Sequence, residues 1–212
     1  MPKKIDKIIS FKDLVDKKTV SKKSENQKIN SDKKIYQLKI SLKHSKPSIY
    51  RRILIPDSIT LLTLHDIIQT VMGWDDSHLH HFLINKEYYA PKEAEIEETN
   101  DSSKIMLKKF KFKEKQKFIY EYDFGDSWEH EISIEKILPY DPTKKYPVCI
   151  KGAMACPQED CGGIWGYAEL LEQISDPENE EYEEMLEWVG DDFNPKEFDI
   201  DTVNKILAKI RV

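Results

Sequence analysis

Tyr36-Gln-Leu-Lys-Ile-Ser-Leu42, followed after Lys46-Pro47-Ser48 by Ile49-Tyr-Arg-Arg-Ile-Leu-Ile55, is the stretch that decides the fold of this 212-residue chain. Apolar and polar residues alternate with a period of two, the pattern of a strand with one face buried. The Pro-Ser link between the segments predicts an antiparallel hairpin. A helix comes next. Thr63-Leu-His-Asp66 has the spacing of a capping box, with Asp in place of the usual Glu or Gln, and Leu64, Ile67, Ile68, Val71 and Met72 repeat at helical spacing until Gly73. Further strands are expected over 78–84, 105–112, 117–122 and 128–134, with an acidic loop over 93–101. Helices are expected over 166–174, 178–189 and 201–210. Strands first and helices last, with no alternating βαβ pattern, predict an α+β fold: one domain over 35–212, mainly an antiparallel sheet covered by helices, with C-terminal helices.

With 39% apolar and 10% aromatic residues the chain can build a core. No run reaches the roughly 18 apolar residues of a membrane span, and residues 1–10 lack a signal-peptide core, so a cytoplasmic protein is expected. Residues 1–34 read as a lysine-rich extension and linker, with 11 Lys against 5 acids. Residues 1–19 fit one or two short amphipathic turns. The net charge of −6 hides a contrast, since residues 169–201 hold 14 acids against one Lys. Such a face repels a phosphate backbone and suits a basic protein surface, or it only solvates helices. Weak, non-specific DNA binding is expected at most, through 1–34.

Cys149, Cys156 and Cys161 fall within one short stretch. Together with His130 they could supply a tetrahedral Cys3His zinc site, although the intervals lack a short knuckle; a nucleophilic cysteine would need a lowered pKa. No cofactor is otherwise expected. Asp123-Phe-Gly-Asp126 sits between two strands, where it is either a structural turn or a pair of carboxylates for a cation or for acid–base work. His78 and His80 share a strand face, and His130 would converge on them if their strands were neighbours. Glu159-Asp160 beside Cys161-Gly-Gly163 offers carboxylates next to open backbone amides, in a cleft that Trp165 and Tyr167 would line. The candidate ligand-binding residues are therefore Asp123, Asp126, His130, Glu159, Asp160, Trp165 and Tyr167. The segments carrying Asp123–His130 and Cys149–Gly163 are expected to lie together.

Four segments carry a resemblance: Gly73-Trp-Asp-Asp-Ser-His-Leu-His80, Tyr122-Asp-Phe-Gly-Asp-Ser-Trp-Glu-His130, the run from Cys149 to Gly163, and Trp188-Val-Gly-Asp-Asp-Phe-Asn-Pro-Lys-Glu-Phe-Asp199. In this order, from about Ile35 to Leu207, the chain resembles the plasmid ORF-3-like family, named for an open reading frame on an Agrobacterium root-inducing plasmid. The resemblance implies a compact α+β domain with its motif segments on one side, and it carries over no catalytic residue. Three functions follow as expectations: a binding or accessory module of a plasmid- and mobile-element-associated family, recognising a protein or small ligand; a metal-dependent enzyme acting on nucleic acid or nucleotide; or a DNA-binding accessory factor.

Overall fold

The computed structural model describes residues 33–190 and 192–212. The amphipathic turns expected over 1–19, and the extension up to residue 32, lie outside the described residues. Eight strands form one sheet: β1 Lys34–Leu42, β2 Tyr50–Pro56, β3 His80–Ile84, β4 Glu87–Ala90, β5 Thr99–Asp101, β6 Lys117–Tyr122, β7 Trp128–Pro139 and β8 Val148–Ala153. Their order is β5-β4-β3-β6-β7-β1-β2-β8. All neighbours are antiparallel except β4 and β5. The expected hairpin of β1 and β2 forms, in register from Ile35 opposite Pro56 to Ser41 opposite Tyr50. Opposite Gln37/Leu38 of β1 the register of β7 slips, and Glu135 at this bulge accepts hydrogen bonds from Arg52 and Gln37.

Among the described residues four helices complete the fold: α1 Leu61–Met72, α2 Gly163–Gln173, α3 Tyr182–Val189 and α4 Ile200–Leu207. The stripe of α1 lies on the inner sheet face, where Leu61, Leu64, Ile67, Ile68 and Val71 are buried with Leu38, Ile40, Ile53, Phe82 and Ile132. One apolar cluster runs from Tyr36 to Leu207, so sheet and helices share a core. The start of α1 differs from the expectation. Its cap is Thr60, whose Oγ1 accepts the Thr63 N–H at 3.1 Å; Thr63 itself lies in the first turn. Gly73 ends the helix in the left-handed region at φ 89°. Thr60→Ala should lower stability by about 1 kcal/mol, read as a shifted urea midpoint at constant slope.

The strand expected over 105–112 is a correction. Its backbone instead serves the loop ahead of α1: Leu107 N–H meets Ile59 O at 3.0 Å, Lys108 N–H meets Asp57 O at 2.7 Å, and Leu61 N–H meets Ile105 O at 2.9 Å. With those groups taken, residues 107–110 close a 3-10 turn. Helix α3 starts at Tyr182 and not at 178, because the Asp176 and Asn179 side chains accept the N–H groups of Glu178 and Glu181 and hold the chain in turns. Helix α4 is capped by Asp199 and lies against the edge strand β8, where the Asn204 amide accepts Cys149 N–H at 2.8 Å and donates to Cys149 O at 2.9 Å. Among the described residues no helix is long and apolar enough to cross a membrane.

Candidate functional site

Three turns meet at one end of the sheet: the segment after α1, the turn between β6 and β7, and the loop from β8 to α2. Gly73 reverses the chain so that Trp74 folds back, its ring stacked at 5.1 Å on Tyr122 and its Nε1 donating to Pro157 O at 3.0 Å. Tyr122 knots the turns together. Its hydroxyl accepts Ser77 N–H at 2.9 Å and donates to Glu159, whose second oxygen accepts Asp75 N–H at 3.0 Å. Burial and the Glu159 carboxylate raise the Tyr122 pKa, so the phenol keeps its proton. In the β6–β7 turn Asp123 stands at φ 55° and accepts Gly125 N–H at 2.9 Å. Asp126 accepts Gly162 N–H at 3.2 Å, and its carbonyl oxygen lies against Gly163. The segments 123–130 and 149–163 thus come together, with Asp126 and Glu159 holding backbone amides.

His78 stands between two carboxylates, its Nδ1 3.8 Å from Asp123 and its Nε2 3.3 Å from Asp160. One ligand atom from each residue lies within 4.8 Å of the others, the size of a three-ligand metal shell. Asp123 is buried and Asp160 exposed, so one side of this group is open to solvent. A second group of that size is His65, Asp76 and His80. Its imidazoles stack at 3.4 Å, only 9° from parallel. An ion bound by both would have to lie in both ring planes, which parallel stacked rings do not share. The three cysteines and His130 belong to neither group. Cys149 faces Lys151 O and Cys161 faces Gly163 O. Burial raises all three thiols, Cys161 to about 12, opposite to what a nucleophilic cysteine needs.

His130 is also displaced from its expected role. Strand β6 separates β3 from β7, so His130 does not meet His78 or His80. It is fully buried, its ring 5.3 Å edge-on from Trp74 and its Nδ1 2.9 Å from Trp128 O. The partner of His80 is His65 on α1, a residue that pattern reading missed; its signal was the polar pair His65 and Gln69, one helical turn apart beside the apolar stripe. The protons of this network follow from its donors. Gln69 Nε2 donates to the Tyr120 hydroxyl at 3.0 Å, so that hydroxyl donates to His65 Nδ1 at 2.8 Å. His65 then carries its proton on Nε2, donated to Asp76 at 2.8 Å. Burial lowers the pKa of His65 to about 4 and of His80 to about 3, and both are neutral at pH 7.

Trp165 and Tyr167 line a cleft of about 210 Å³ with Pro47, Ile49 and Met154, apart from the carboxylates expected beside them. Trp165 is 78% exposed. A second groove, about 380 Å³, runs between α2 and α3. Leu170, Met185 and the half-exposed Trp188 give it an apolar floor, and Asp160, Glu169 and Glu181 rim it. No ion pair among the described residues involves any acid between 169 and 201.

Residues 34–202 match the family described as plasmid pRiA4b ORF-3-like protein. The chain is 36% identical over 176 residues to the uncharacterized protein y4hQ of Sinorhizobium fredii (strain NBRC 101917 / NGR234), covering 82% of this chain and 90% of the relative. It also matches the crystal structure of MM3350, a protein of unknown function from Methanosarcina mazei Go1, at a TM-score of 0.74 and 41% identity, covering 80% of this chain and 97% of that one.

Proposed function

The chain belongs to the plasmid pRiA4b ORF-3-like family, and we propose that it is a protein-binding module that receives a basic, amphipathic segment of a partner in the groove between α2 and α3. The observation that carries this reading is the acid around an apolar floor, of which Glu169 and Glu181 pair with no cation among the described residues. Asp160, Glu169 and Glu181 rim the groove, no Lys or Arg among the described residues lines it, and Trp188 stands 48% exposed within it. Bunched like charge opposes the folded state, and an exposed indole costs hydration; both are relieved when a segment bearing Lys or Arg and apolar residues settles there. Charge complementarity sets the occupant as basic, the groove between two helices suits a helical segment, and Trp188 is the anchor.

Titration of the full chain with a synthetic helix of Lys, Arg and Leu, followed by tryptophan fluorescence, should give a saturable blue shift that weakens with salt. Glu169→Lys with Glu181→Lys should weaken it at least about tenfold, as should Trp188→Ala. An acidic helix of equal hydrophobicity should not bind. Equal binding of both peptides, or of the wild type and the charge-reversed variant, would defeat the reading.

A further inference from the structure

We infer that the cleft beneath the 140–147 loop is a second binding site, for a nucleoside phosphate. It shares no residue with the groove between α2 and α3, so either assignment can fail alone. The cleft encloses about 550 Å³, within the ordinary range of small-molecule sites. Lys33, Lys144 and Lys145 line it with Tyr140 and Tyr146, and among the described residues its lining has no Asp or Glu. The tyrosine rings lie 5.8 Å apart at 42°, and Lys33 Nζ stands 5.3 Å over the Tyr140 ring. The carboxylate nearest these lysines in the ion pairs is Asp141, 3.5 Å from Lys144 and already accepting the Thr143 N–H and hydroxyl at 3.0 and 2.7 Å.

Asp141 and the α-carboxylate of Val212, which also lines the cleft, stand against three ammonium groups and still leave a positive surplus inside a concavity of a chain whose net charge is −6. A concave positive surface concentrates anions. The ammonium groups suit phosphate oxygens, and the tyrosine rings offer faces for an aromatic base. A free phosphate would use only the lysines. A polynucleotide would need charge spread along a track, whereas these lysines surround one cavity and the acids of 169–201 repel a polyanion.

The test is calorimetric titration of the full chain with ADP, adenosine and inorganic pyrophosphate. ADP should bind one to one, more tightly than either fragment. Lys144→Glu with Lys145→Glu changes only exposed side chains; it should leave the melting temperature unchanged and lower ADP affinity at least about tenfold. Tyr146→Leu keeps bulk and removes the ring, and it should weaken ADP while leaving pyrophosphate unaffected. The assignment is overturned if millimolar ADP gives no binding heat, if the lysine changes leave ADP binding intact, or if pyrophosphate binds as tightly as ADP. A single-stranded oligonucleotide that displaces ADP with the same lysine dependence at lower nucleotide concentration would overturn it as well.

Discussion

At pH 5 the domain should have lost most of the stability it has at pH 7. His65, His80 and His130 are buried, and desolvation lowers their pKa values from 6.5 to about 4, about 3 and about 3. The unfolded chain therefore takes up protons first as pH falls. Between 6.5 and the folded values it binds up to one more proton per histidine than the native state does, and stability must fall. From pH 7 to pH 5 each such histidine removes about 2 kcal/mol, so the three together remove about 6 kcal/mol, comparable with the whole stability of many small domains. Protonation in place is no escape. The His65 and His80 rings stack at 3.4 Å, and the Nε2 atoms of His80 and His130 are buried without a partner. Urea titrations at pH 7, 6 and 5, at constant ionic strength, should show a falling midpoint. A midpoint unchanged between pH 7 and pH 5 would refute the neutral buried histidines.

Gly163→Ala should be strongly destabilising, because it presses two turns of the site apart. Gly163 stands at φ +70°, and a Cβ there would fall on the carbonyl oxygen of Asp126. That oxygen belongs to backbone, so relief requires the β6–β7 turn and the start of α2 to separate. The left-handed backbone adds about 1 kcal/mol or more of strain, and the displaced turn would release the bond from Gly162 N–H to Asp126. A loss of about 3 kcal/mol is expected, measured by denaturant unfolding. Gly73→Ala is the internal control. Gly73 has φ +89° but nothing within 4 Å of its added Cβ, so it should cost only the backbone strain. Equal losses in the two variants would show that the turns do not press on each other at Gly163.

The parts of the fold legible from sequence were those whose pattern is set by one buried face. Strands β1 and β6, and β7 as far as Ile134, alternate buried and half-buried residues, and α1 carries an unbroken apolar stripe. The segment 105–112 has the same composition, yet its amides bond to the loop before α1, and no local pattern records where a backbone finds its partner. Strand β8 was hidden for the opposite reason. It contains Gly152, which the ring of Phe198 approaches too closely for any side chain, and Ile150 is 44% exposed, so its alternation is blurred. At the site, the meeting of 123–130 with 149–163 was readable from two Gly-rich polar turns. The His65–His80 pair was not, because it depends on how α1 crosses the sheet. The acidic groove was half legible: its charge is a count of residues, but its floor requires Leu170, Met185 and Trp188 from two helices to face one another.

Asn204 has a consequence for how this molecule behaves among its own copies. A sheet that stays open exposes a row of unpaired amides and carbonyls along its last strand, and a second chain can extend the ladder there. At β8 the carboxamide of Asn204 occupies both hydrogen-bonding positions of Cys149, donor and acceptor, as a passing strand would. One side chain from α4 thus imitates a ninth strand a single residue long, and then ends it. The opposite border, β5, is only the three residues Thr99–Asp101. Both margins among the described residues are thus shortened as templates for edge-to-edge growth, β8 at Cys149 and β5 by its length.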